Sequence, residues 1–79
     1  MKNKNNSHYQ NYPTITGYVL DDVTLNVREF PSTDAKIINK LSSGSEVIID
    51  SRTKNDEFLR IKFENEIGYV LSKYISIAE

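Results

Sequence analysis

The stretch Glu57-Phe58-Leu59-Arg60-Ile61-Lys62-Phe63 decides the fold. Side chains alternate sides along an extended chain, so Leu59, Ile61 and Phe63 share one face and Phe58, Arg60 and Lys62 share the other. A helix would scatter both sets. Period two over this length predicts a half-buried strand, and on that reading Phe58 is an aromatic ring set outward among charged neighbours. The same pattern recurs on either side of the stretch, in short runs separated by turn residues, and no segment offers an amphipathic helix of useful length.

Upstream, Glu46–Arg52 predicts a strand with Val47 and Ile49 on one face and Ile48 opposite. Such a strand is apolar on both sides, as happens where a small barrel closes. Ser42-Ser43-Gly44 precedes it, and the glycine supplies the positive φ that a tight turn needs. Before that come the run Lys36–Leu41, a loop at Pro31-Ser32-Thr33-Asp34, and Thr24–Arg28. In Thr24–Arg28, Leu25 and Val27 are expected in the core, with Asn26 and Arg28 facing away. Ile15–Leu20 and the Asp21-Asp22 turn open the folded unit. Downstream, Lys54-Asn55-Asp56 and Glu64-Asn65-Glu66 are turns, Ile67–Val70 is a strand, and Leu71-Ser72-Lys73 is one 3₁₀ turn leading into a last strand, Tyr74–Ile77. The expectation is an all-β fold: a small barrel of five to seven short antiparallel strands, with a single 3₁₀ turn before the last one.

Residues 1–13 are rich in Asn and Lys and almost free of aliphatic side chains, so they are read as a linker or disordered arm, with residues 14–79 as the domain. Tyr9 and Tyr12 either dock on the domain or simply end the linker. The chain has 79 residues and no cysteine. A domain of this size buries only about 60% of the surface its unfolded chain exposes, which argues against a deep catalytic cleft. No disulfide or thiolate metal site is possible, and the lone histidine, His8, sits in the polar arm, so neither metal nor cofactor is expected.

Formal net charge is −1; setting aside Lys2 and Lys4 of the arm leaves −3 for residues 14–79. A net acidic domain is a poor match to nucleic acid or to anionic lipid. No apolar run approaches the roughly 18 residues of a membrane span, and the N-terminal stretch lacks the apolar core of a secretory signal.

Four pieces carry a family likeness: Leu25–Thr33 (LNVREFPST), Ser43–Val47 (SGSEV), Phe58–Ile61 (FLRI) and Gly68–Ser76 (GYVLSKYIS). Taken in order and with their spacing they resemble the bacterial SH3 domain, over roughly residues 16–77. The last piece also resembles the end of the eukaryotic SH3 fold, where a 3₁₀ turn delivers a tyrosine to the ligand groove; Ser72 and Tyr74 occupy the matching places. Two departures stand out. Glu29-Phe30 replaces the family's common Ser-Gly before the proline, and Phe58 stands where Trp is frequent, which removes one hydrogen-bond donor. The resemblance implies a non-catalytic module that recognises cell-wall peptide as part of a larger secreted or wall-associated protein; a monomer is expected, with neighbouring domains of that parent protein as further candidate partners.

The expected site is a shallow aromatic groove of Phe30, Phe58, Tyr69 and Tyr74, with polar help from Asn26, Arg28, Asp56, Glu57 and Ser72. Aromatic rings give flat contact to a small Gly- or Ala-rich peptide at little rotamer cost, and an acidic rim favours a cationic peptide end. Each also has a plainer reading. Tyr69 and Tyr74 are equally well half-buried barrel residues, Asn26 a partner of loop backbone, and Arg28 one half of a surface ion pair with Glu29, Asp50 or Glu66. The paired carboxylates Asp21-Asp22 and Asp56-Glu57 lie at turns with no apolar pocket to separate their pKa values, so acid–base catalysis is not expected. A second class of function, a protein–protein adaptor or spacer using the same barrel, remains open beside the first.

Overall fold

A computed structural model describes residues 12–78. The arm expected over residues 1–13 therefore lies largely outside the described residues, Tyr9 and His8 included. Seven strands follow in order: β1 Thr14–Val19, β2 Leu25–Arg28, β3 Ile37–Leu41, β4 Glu46–Asp50, β5 Phe58–Phe63, β6 Glu66–Leu71 and β7 Ile75–Ala78. Among the described residues there is no α-helix, so none is long and apolar enough to cross a membrane. Two 3₁₀ turns interrupt the strands, at Ser51–Thr53 and Ser72–Tyr74.

All pairings are antiparallel, in one sheet ordered β3-β2-β6-β5-β4-β1-β7. One buried cluster draws on six of its strands: Val19, Leu25, Val27, Leu41, Val47, Ile49, Leu59, Ile61 and Val70. A flat sheet cannot gather so many strands around one centre, so the sheet curls over on itself in the SH3-like manner. Ile75 and Ile77 of β7 pack against the cluster from the edge.

Local chemistry explains the corners. Gly44 takes φ +82°, as the turn before β4 requires, and its N–H donates to the Val19 carbonyl at 2.8 Å. Gly68 in β6 answers a different need: a Cβ there would overlap Val27 Cγ1, so the absence of a side chain lets β2 and β6 approach.

Two expectations need correction. The predicted strand Glu46–Arg52 stops at Asp50, because the Asp50 carboxylate accepts the Arg52 backbone N–H at 3.0 Å and starts a 3₁₀ turn instead. The 3₁₀ turn expected before the last strand is present at Ser72–Tyr74, and this is a second one among the described residues. Phe58, expected outward, is buried at 9% exposure. It opens β5 opposite Leu71, and the following 3₁₀ turn folds back beside it, the Ser72 N–H donating to the Glu57 carbonyl at 2.8 Å. Alternation aimed Phe58 away from the core, and the returning chain covered it.

Candidate functional site

The commitment of Leu25 and Val27 to the core turns Asn26 and Arg28 to the opposite side of β2. Phe58 lies at the start of β5, and Leu71 at the end of β6 is its direct cross-strand partner. The Ser72–Tyr74 turn then carries Tyr74 round, where its ring packs partly against the core cluster. These elements converge. Leu25, Asn26, Arg28, Phe58, Leu71 and Tyr74 line a hollow of about 60 Å³, and Thr33, Glu57, Leu71, Ser72 and Lys73 line a wider one of about 240 Å³. Leu71 belongs to both, so the two form one shallow groove. Together the two hollows reach only the lower end of the roughly 300–1,000 Å³ of sites that engulf small molecules, and, spread along a shallow surface, they suit a short extended segment lying across it.

The groove brings together six of the nine expected residues: Asn26, Arg28, Glu57, Phe58, Ser72 and Tyr74. Their roles differ from the expectation. Phe58 is floor, not rim, and the rings in the groove are Phe58 and Tyr74 rather than a shelf of four. Phe30 stands outside it at the loop tip, 60% exposed. Tyr69 is half-buried in β6, paired across the strands with Arg28 on one side and Arg60 on the other. Asp56 is exposed in the turn, its N–H donating to the Thr53 carbonyl at 2.9 Å. The sequence reading missed Leu71, assigned to a turn, along with Leu25, Thr33 and Lys73.

Among the described residues, Arg28 does not form the expected ion pair. Its Nη1 donates to the Ala35 carbonyl at 2.9 Å, which ties the 29–35 loop to β2. Of the acids proposed for it, Asp50 and Glu66 are engaged elsewhere and Glu29 is exposed. Asp50 accepts from Arg52, and Glu66 Oε1 accepts from Asn39 Nδ2 at 3.4 Å. Lys73 Nζ lies 5.3 Å from the centre of the Tyr74 ring, so a cation flanks the aromatic wall.

A second polar cluster lies at the start of β1. Asp50, 3% exposed, receives Arg52 Nε at 2.9 Å and Nη2 at 2.7 Å, with Arg60 Nη1 at 3.7 Å. The Arg52 guanidinium beside it, through these hydrogen bonds, holds the Asp50 carboxyl below its ordinary range against the opposing effect of burial. Tyr12 closes the cluster: its ring centre is 4.0 Å from the Arg52 guanidinium, and its hydroxyl accepts from Arg60 Nη1 at 2.8 Å. Asp50 followed by Ser-Arg-Thr is the sequence signal of a side-chain-capped turn and would have located it. The hollow under Tyr12 measures only about 10 Å³, room for one water at most. Among the described residues, no group of three or more His, Cys, Asp or Glu side chains could hold a metal ion.

Compared with known proteins, residues 23–76 match the family model described as "Bacterial SH3 domain". No curated protein matches the chain.

Proposed function

The chain belongs to the bacterial SH3 domain family, a family of binding modules, and from that membership we propose that its groove binds the peptide of the bacterial cell wall, as the targeting domain of a larger wall hydrolase or surface protein. The observation that carries this reading is the continuity of the groove. Two rings, Phe58 and Tyr74, and the aliphatic Leu71 give an apolar bed, while Asn26, Arg28, Glu57 and Ser72 border it with donors and acceptors. Stem and cross-bridge peptides are extended, small in side chain and rich in amides. Rigid rings contact such chains at low entropic cost, and the polar border satisfies their backbone. A shallow site of this kind binds weakly alone and gains from linked copies or from a tethered catalytic domain, which is consistent with a targeting role in a larger protein.

The test is co-sedimentation of the protein with purified peptidoglycan, followed by NMR titration with stem and cross-bridge peptides. Shifts confined to Asn26, Phe58, Leu71, Ser72 and Tyr74 are expected. Absence of binding to every wall preparation, with these resonances unmoved, would sink the reading.

A second reading, an adaptor that docks another protein or a neighbouring domain, draws support from a different observation. Phe30, Ile37 and Ile67 are exposed at 60%, 42% and 40%, more apolar surface than the groove needs. Binding to a protein partner that Phe30→Ser abolishes, while wall peptide leaves the protein unaffected, would favour it.

A further inference from the structure

Arg28 is half-buried on the groove side of β2, beside the rings of Phe58 and Tyr74, and among the described residues its guanidinium makes a single hydrogen bond, to the Ala35 carbonyl. A guanidinium carries five donors in a planar fork. Desolvating such a group without a counter-charge is unfavourable. Each acid that strand position or chain proximity offers is unsuitable: Asp50 is held by Arg52, Glu66 accepts from Asn39, and Glu29 is exposed and is not paired with Arg28. The groove therefore contains a partly dehydrated cation with unspent donors at one end.

We propose that this end of the groove is a carboxylate site, and that the occupant is a peptide whose free C-terminal carboxylate is gripped by Arg28. The proposal rests on the peptide-binding reading above and adds chemistry and direction to it. A terminal carboxylate is planar and presents two oxygens, matching the guanidinium fork in a bidentate pair. The hollow at Arg28 is small, about 60 Å³, which fits a chain end rather than a through-running segment. From there the peptide runs past Leu71 into the wider hollow, where the Glu57 carboxylate and the Ser72 hydroxyl meet its amide N–H groups or a basic side chain. The polarity rests on the guanidinium fork: the C-terminus lies at Arg28, and the N-terminal side runs toward the wider hollow, where Glu57 and Lys73 offset each other in charge.

The experiment measures binding of a synthetic wall stem peptide, amidated at any side-chain carboxyl, in two forms that differ only at the C-terminus: free carboxylate and carboxamide. The expected result is a preference for the free carboxylate on the order of tenfold, as hydrogen bonds to a charged group give. The Arg28 side-chain NMR signals should shift with the acid form only. Arg28→Lys, which keeps the charge but loses the fork, should reduce the preference, and Arg28→Gln should abolish it; a backbone spectrum of each variant establishes that the 29–35 loop is intact. Equal affinity of both forms for the wild-type protein overturns the carboxylate site while leaving the groove reading standing. Binding of neither form overturns both.

Discussion

The hydroxyl of Tyr12 accepts a hydrogen bond from Arg60, 48 positions later in the chain, so the residue before Pro13 is fastened to the middle of β5. The Tyr12 ring also lies over Arg52, and Pro13 offers its carbonyl to the Ser51 N–H at 3.1 Å. Three contacts join the start of the folded chain to the first 3₁₀ turn and β5. Tyr12→Phe removes only the hydroxyl and should cost about 0.5–1.5 kcal/mol. Tyr12→Ala also removes the ring from the two guanidinium groups and should cost more, by about 0.5–1 kcal/mol. Urea denaturation midpoints at constant slope measure both. If Tyr12→Ala matches the wild-type midpoint, the contact has no role in stability.

Phe58 and Phe30 should respond very unequally to the same substitution. Phe58→Ala empties a position 9% exposed between Leu71 and Tyr74, and core Phe-to-Ala changes cost about 3–5 kcal/mol. Small domains have about 5–15 kcal/mol in total, so this variant should be close to unfolding at ambient temperature. Phe30→Ala, at 60% exposure, should stay within about 0.5 kcal/mol of wild type. Thermal melts of the pair decide the point, and a ligand test by truncation belongs at Tyr74, where loss of binding is separable from loss of fold.

Asp50 sets an acid limit. Its carboxyl is held below its ordinary range in the folded protein, chiefly by the Arg52 side chain, so the folded state favours the ionised form more than the unfolded state does. That contribution is fully present above the unfolded carboxylate pKa of about 3.9 and is lost as pH falls through the lower folded value. Asp50→Asn should be less stable than wild type at neutral pH by about 1–3 kcal/mol. The gap should narrow as pH falls below about 4 and through the lower folded value, where the wild-type carboxyl becomes neutral like the asparagine amide. Melting temperatures of both proteins across that range test the sign; a gap independent of pH would refute it.

Gly68→Ala should destabilise the fold by about 1–3 kcal/mol, since the added methyl overlaps Val27 Cγ1 and either β2 or β6 must shift. Val27→Ala in the same chain should recover part of the loss by clearing the space. A double-mutant cycle measures that recovery, and strict additivity would show the two positions to be independent.

The fold was legible where a residue's side of the strand settles its surroundings. Leu25 and Val27, Val47 and Ile49, and Leu59 and Ile61 alternate in sequence and are all buried. Gly44 was readable because one φ value is demanded there. The site was less so. Alternation assigned Phe58 to the outer face correctly, but burial on that face depends on where a later segment returns, and the Ser72-to-Glu57 hydrogen bond that brings the turn over it leaves no mark in the local pattern. The end of β4 was obscured for a related reason: Ser51 and Arg52 continue a plausible strand until the Asp50 carboxylate captures the Arg52 N–H. Tyr12 posed the same problem at longer range, its partners lying far along the chain.

The register of the outermost pair bears on how the domain carries load. β1 and β7 are antiparallel, with Thr16 opposite Ala78 and Val19 opposite Ile75, so the chain enters and leaves at neighbouring points on one rim. Tension between those points opens the pair from the Ala78 end one rung at a time, and does not shear all rungs together. A molecule anchored at one end and pulled at the other would lose β7 at low force, while Phe58 and Leu71, in strands off that line of pull, would keep their places.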